Sequence, residues 1–249
     1  MTAYYNEWGP YPAQWLRNLI KAGLIAPGDV DERSIKDVKA DDLKAYTQCH
    51  FFAGIGGWSY ALRLALWGDD RPVWTGSCPC QPYSIAGKEL GQNDERHLWP
   101  AYCDLIKECK PSIIFGEQVV GAISHGWLDD VCGDLEGEGY ATAAAVLPAC
   151  CFGAEHERKR LWFVADAERE GRERFEHDYR LSSSAREAYA ESGHPFFIAR
   201  RAVAKDFSHL RQRDGVSVSV ERSCIKGYGN AIVPQVAAQF IEAFMEVRP

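Results

Sequence analysis

The stretch that decides the fold is Cys49-His50-Phe51-Phe52-Ala53-Gly54-Ile55-Gly56-Gly57-Trp58-Ser59-Tyr60-Ala61-Leu62. A short apolar run ends in a glycine cluster, and the chain then reopens as an apolar-rich helix over Trp58 to Trp67. That pattern predicts strand, tight turn, helix. A turn with so little side chain lets a ligand approach the backbone, and the helix start offers it free N–H groups. In an α/β sheet such turns lie at the carboxyl ends of strands, where ligands bind. The glycine cluster alone is weak evidence. The full dinucleotide fingerprint is absent, and so is the phosphate loop, since no Gly-Lys-Ser/Thr comes after it.

The same rhythm continues on both sides. Upstream, Tyr4 to Glu7 is β-prone, and Ala13 to Ala22 is helix-like with Trp15, Leu16, Leu19 and Ile20 apolar. Gly23, Pro27 and Gly28 then punctuate the chain as turn residues. Downstream, Pro72 to Thr75, Ser112 to Phe115 and Leu161 to Ala165 read as strands. Leu98 to Cys109, Trp127 to Gly137 and Ala231 to Val247 read as helices, the last with Val236, Phe240, Ile241 and Phe244 on one side. Strands alternating with helices predict an α/β fold with a mostly parallel sheet covered on both faces. Residues 166–226, rich in Arg, Glu and Ser, break the rhythm and read as a small inserted lobe. The main domain would then be 1–165, completed by 227–249.

Length and composition agree with one sizeable core: 249 residues, 46% hydrophobic and 25% charged. No apolar run approaches the roughly 20 residues of a membrane span. The first residues show no basic region leading into an apolar one, so a cytoplasmic location is the expectation. Nine irregularly spaced cysteines do not suggest a disulfide framework. Cys78/Cys80 and Cys150/Cys151 lack the usual zinc spacings and have no His pair after them, so no metal is expected. The net charge of −7 argues against a generally basic nucleic-acid binder. Residues 166–226 carry +1 and the remainder −8, so phosphate contacts would come from local clusters such as Arg169, Arg172 and Arg174. From charge alone, a solvated face is the simpler explanation of such clusters.

Three further motifs carry chemistry. Pro79-Cys80-Gln81-Pro82 puts a cysteine in a proline-bracketed loop after a strand, either as an exposed nucleophile or as a structural turn residue. Phe115-Gly116-Glu117-Gln118 puts a carboxyl right after an apolar strand. It is placed to protonate a ring nitrogen, or simply to start a helix. Glu157-Arg158-Lys159-Arg160 precedes a strand, where a guanidinium can bind a carbonyl oxygen or a phosphate, or lie on the surface.

In this order the four motifs resemble the C5-cytosine DNA methyltransferases. The stretch from Cys80 through Asp94-Glu95-Arg96 is similar to that family's nucleophile and mobile catalytic loop. Gly227-Tyr228-Gly229-Asn230-Ala231 resembles its last motif, where Gly-Asn lines the cofactor pocket. The resemblance implies a Rossmann-like S-adenosylmethionine-dependent fold with a small target-recognition lobe, acting on double-stranded DNA as a monomer. It implies Cys80 as the thiolate that attacks cytosine C6, Glu117 at N3 and the exocyclic amine, Arg160 at O2, and Arg158 in support. A related enzyme acting on RNA, one transferring another group, and a catalytically weak DNA-binding relative are the alternatives. Three positions depart from the family pattern: Gln118 stands for the usual Asn, His156 for Gln, and His50 for an acid. The recognition lobe is short for the family, which implies a short or relaxed target sequence.

The order of the cofactor half also departs. In the family the glycine loop comes first, then the ribose-binding acid, then the adenine-binding Asp. Here only residues 58 to 79 separate Gly57 from Cys80, room for one helix and one strand. Asn6-Glu7-Trp8 resembles the ribose-binding strand end, and Gly28-Asp29-Val30 the adenine-binding turn. The resemblance therefore implies a circular permutation. Glu7 would accept the ribose hydroxyls, Trp8 and Phe52 would flank the adenine, and Asp29 and Val30 would meet its edge. Gly54, Gly56, Gly57, Asn230 and Ala231 would complete the pocket.

Overall fold

The strand that precedes the glycine cluster lies inside a seven-stranded sheet, with partners on both sides. The computed structural model describes residues 2–79, 98–167 and 231–248. Along the chain run β1 (Ala3–Asn6), α1 (Pro10–Lys21), β2 (Gly28–Asp31), α2 (Ala40–Leu43), β3 (Gln48–Phe51), α3 (Gly57–Leu64) and β4 (Val73–Gly76). Then come α4 (Trp99–Cys109), β5 (Ile113–Val119), α5 (Trp127–Gly137), β6 (Ala141–Pro148), β7 (Lys159–Asp166) and α6 (Pro234–Val247). The sheet order is β2-β1-β3-β4-β5-β7-β6. Strands β1 to β5 are parallel, and β7 runs antiparallel between β5 and β6. This is the expected Rossmann-like α/β architecture.

Alternate strand residues feed opposite faces, because successive side chains point to opposite sides of a strand. Tyr4, Cys49, Phe51, Trp74 and Ile114 pack under α2, α4 and α5. Val73, Ile113, Phe115, Trp162 and Val164 pack under α3 and α6, while Ala3 and Tyr5 meet α1 at Leu16. Burial on both faces explains why these strands read as continuous apolar runs rather than alternating ones.

Several elements differ from expectation, α2 having no counterpart in the sequence reading and α1 starting at Pro10 rather than Ala13. Gly28-Asp29-Val30, read as a turn, begins strand β2, with Gly28 to Asp31 in register with Ala3 to Asn6. Strand β6 was not legible, because Ala141-Thr142-Ala143-Ala144-Ala145 has the composition of a helix. Its pairing with β7 along its whole length overrides that preference. Strand β5 runs past Phe115 to Val119, because β7 pairs with it as far as Arg160. Helix α6 starts at Pro234 rather than Ala231, with proline at its first position, where φ is preset and no N–H is needed.

Candidate active site

The carboxyl ends of β1, β3, β4 and β5 lie at one edge of the sheet. The start of the antiparallel β7 lies there too. Two groups of side chains meet along this edge.

The first surrounds the glycine loop. Glu7 comes directly after β1, and its backbone N–H donates to the Asp31 carbonyl at 3.0 Å. Its carboxylate accepts from the Gly9 N–H at 2.9 Å and from the Gly54 N–H at 2.8 Å. A residue 47 positions away thus fastens the glycine loop. The loop turns through left-handed backbone at Phe52 (φ 53°), Gly54 (φ 55°) and Gly56 (φ 83°). A Cβ on Gly54 would have no neighbour closer than 4.0 Å, so the loop is open there. A Cβ on Gly57 would lie 2.7 Å from Ile232 Cγ1. The Trp8 ring is 75% exposed. The Asp29 carboxylate accepts from the Tyr46 hydroxyl at 2.9 Å, and Val30 packs with the cluster under α1. Asp31, two residues nearer the carboxyl edge, accepts from the Tyr4 hydroxyl and is gripped by Arg33.

Beneath this loop lies His50, which is 1% exposed. Its ring stacks on Tyr5 at 4.9 Å and its Nδ1 pairs with Thr75 Oγ1 at 2.8 Å. Its Nε2 has no partner. Burial pushes its pKa down to about 3, so the ring is neutral at physiological pH.

The second group is built on β5 and β7. Glu117 is opposite Trp162 in the ladder, and Val119 is opposite Arg160. Arg160 Nε lies 2.9 Å from Glu117 Oε1. Glu117 is buried, and burial lifts its pKa to about 7 against the opposing pull of Arg160 and Arg158. A carboxyl held there is partly protonated at neutral pH and can donate as well as accept. Arg158, with φ 31°, donates from Nη2 to the Ala231 carbonyl at 2.8 Å. The strand end and the helix start thus bring together Glu117, Arg158, Arg160 and Ala231.

Cys80, Asn230, the loop after Cys80 and all but the first two residues of the 166–226 lobe lie outside the described residues. The approach to Cys80 is described. Trp58 Nε1 donates to Ser77 Oγ at 3.0 Å, and Gln118 Nε2 reaches the Cys78 carbonyl at 3.4 Å. Cys78 is buried and burial pushes its thiol pKa up, which leaves it inert as a nucleophile. Sequence reasoning missed the roles of Ser77, Gln118 and Ile232 in holding these segments. No local motif marks them, because each acts on a residue distant in the chain. Among the described residues, no three His, Cys, Asp or Glu side chains converge as a metal site, and no helix is long and apolar enough to cross a membrane.

A family model described as C-5 cytosine-specific DNA methylase matches residues 68–192, half of the chain. The chain belongs to this family. It is similar to the type II methyltransferase M.NgoMIV of Neisseria gonorrhoeae, 36% identical over 100 residues covering 39% of this chain and 32% of that protein. It is also similar to M.Eco47II of Escherichia coli, 33% identical over 204 residues covering 64% of this chain and 48% of that one. The chain thus spans between a third and a half of the length of these C5-methylase relatives. The crystal structure of Schizosaccharomyces pombe Dnmt2 methyltransferase aligns with a TM-score of 0.43 and 16% identity, over 69% of this chain and 52% of that one.

Proposed function

We propose that this C5-methylase family member transfers a methyl group from S-adenosylmethionine to C5 of a cytosine flipped out of double-stranded DNA. The observation that carries the reading is the buried Glu117–Arg160 pair, set at the same sheet edge as the glycine loop. A carboxyl with a pKa of about 7 matches a group that must hold a proton against a ring nitrogen. Glu117 donates to cytosine N3 and accepts from the exocyclic amine. Arg160 holds O2, stabilising the charge that develops on the ring. The Cys80 thiolate adds to C6, which makes C5 nucleophilic. After methylation a base removes the C5 proton, the C5–C6 double bond re-forms and Cys80 is expelled. C6 is inaccessible inside a duplex, so the base must leave the stack.

The residues present fit the methyl donor. The open cradle at Gly54, the Glu7 carboxylate on the loop and the exposed Trp8 ring suit a nucleoside with a charged amino-acid tail. Each Glu7 oxygen accepts one backbone N–H and retains capacity for a ribose hydroxyl. When bound, S-adenosylmethionine supplies an electrophilic methyl group on its sulfonium. Trp8 and Phe52 would flank the adenine and Asp29 would meet its edge, while Val30, the next residue of β2, sends its side chain to the opposite face. Ala231 would close the far side.

A circular permutation accounts for the order of the pieces. With β3 taken as the first strand, β1 as the second and β2 as the third, the sheet reads 3-2-1-4-5, the usual doubly wound order. The family match also begins at residue 68, beyond the glycine loop. Residues 166–226 supply the target-recognition lobe.

Incubation with the donor and duplex DNA carrying 5-fluorocytosine tests the reading. The wild-type protein should form a covalent complex stable to denaturation, and Cys80→Ser should not. No complex on a library of random duplexes would overturn it.

A further inference from the structure

We propose that Arg158 is a positioning residue that braces the donor loop from the nucleobase side, rather than a contact to the substrate. The inference rests on the donor site proposed above. Its basis is a continuous chain of contacts. Arg158 Nη2 donates to the carbonyl of Ala231, 73 residues away in sequence, at 2.8 Å. The next residue, Ile232, is buried. It lies so close to Gly57 that a Cβ there would be 2.7 Å from Ile232 Cγ1. Gly57 is the last glycine of the loop and the first residue of α3. Fixing the Ala231 carbonyl therefore fixes Ile232 against the loop.

The backbone of Arg158 supports this role. Its φ of 31° lies in the left-handed region that residues with a Cβ seldom adopt. Such a conformation persists when surrounding contacts over-determine it. Arg160, two residues on, has ordinary strand geometry and pairs with Glu117. The two guanidiniums thus divide the work. Arg160 serves the base, and Arg158 holds the segment that seats the donor loop. Helix α6 packs along α3 beyond this point through Val236, Ala237 and Ile241. These apolar contacts hold the helix down in general, whereas the Arg158 bond sets its entry.

The experiment compares wild type, Arg158→Met, Arg158→Lys, Arg160→Met and Gly57→Ala. S-adenosylhomocysteine binding is measured by calorimetry, and amide hydrogen exchange over residues 231–236 is recorded in parallel. Arg158→Met should weaken binding about tenfold and raise exchange at 231–236. Arg158→Lys, which can still donate to the carbonyl, should restore most of both. Arg160→Met should leave both unchanged. Gly57→Ala should also weaken binding, and combined with Arg158→Met it should add less than its separate effect, as residues in one contact chain do. Wild-type affinity with wild-type exchange in Arg158→Met would overturn the proposal, as would an equal effect from Arg160→Met. If the wild-type protein binds no S-adenosylhomocysteine, the donor-site reading fails. The exchange measurement then judges the brace alone: faster exchange in Arg158→Met supports it, and unchanged exchange overturns it.

Discussion

Glu7 and Glu117 are both carboxylates at the carboxyl edge of one sheet, yet their surroundings make them different reagents. Glu7 is half-buried and met by two backbone N–H groups. Hydrogen bonds of that kind fix its orientation as an acceptor. Glu117 is buried and paired with the Arg160 guanidinium, and desolvation outweighs the pull of Arg160 and Arg158 and lifts its pKa to about 7. One residue type therefore supplies a hydrogen-bonded acceptor on the glycine loop and a proton-holding group beside Arg160, which the proposed function assigns to the donor and the nucleobase. The difference arises from solvent access and partner geometry, not from the side chain.

Breaking the nucleobase side should have the largest effect. Glu117→Ala removes the proton donor and leaves Arg160 unpaired, so single-turnover methylation should fall about 100- to 1,000-fold. Donor affinity should be unchanged, and a loss of donor affinity as large as the loss of rate would erase the distinction between the two carboxylates. The same contrast has a pH signature. On the proposed function, the protonated form of Glu117 donates to N3, and that form is lost as pH rises through about 7. The methylation rate should then fall up to tenfold per pH unit above that value, before any alkaline unfolding. Glu117→Gln, slower throughout, should lack that decline.

On the donor side, Glu7→Ala should weaken S-adenosylhomocysteine binding about tenfold, on the order of 1.4 kcal/mol. The rate at saturating donor should stay near wild type. A large loss of rate at saturation would show that Glu7 reaches the reacting groups.

The smallest effect concerns His50, which sits beneath the glycine loop. Its folded pKa of about 3 lies below the ordinary histidine value of 6.5. The unfolded chain therefore takes up the proton first as pH falls, and stability is lost below about pH 6.5. Between pH 7 and 5.5 the loss should be about 1 kcal/mol by denaturant titration. His50→Phe should remove that slope, and an identical slope in the variant would assign the acid sensitivity elsewhere.

Much of this was legible in the sequence. The glycine cluster with its flanking strand and helix announced an α/β sheet and an open loop at its carboxyl edge, because period and glycine content are local properties. The positions of Glu117 and Arg160 at the sheet edge were readable from their places beside apolar strands, though their pairing was not. Strand β6 was not, because its alanines prefer another conformation and only the partner strand β7 overrules them. Asp29 read as part of a turn because Gly28 ordinarily signals one, whereas here the glycine opens a strand against Ala3.

The sequence by itself determined the order of elements, the chemical types at the sheet edge and the place of the glycine cluster in the chain. Tertiary structure alone decided which of these meet. A parallel sheet pairs strands without regard to their order in the chain, so β1 lies beside β3 and Glu7 reaches Gly54. Burial, which sums over every neighbour, set the pKa of Glu117. The Arg158 bond to Ala231 joins residues that no local pattern connects. Such contacts depend on distance in space, and a linear reading carries no measure of that distance.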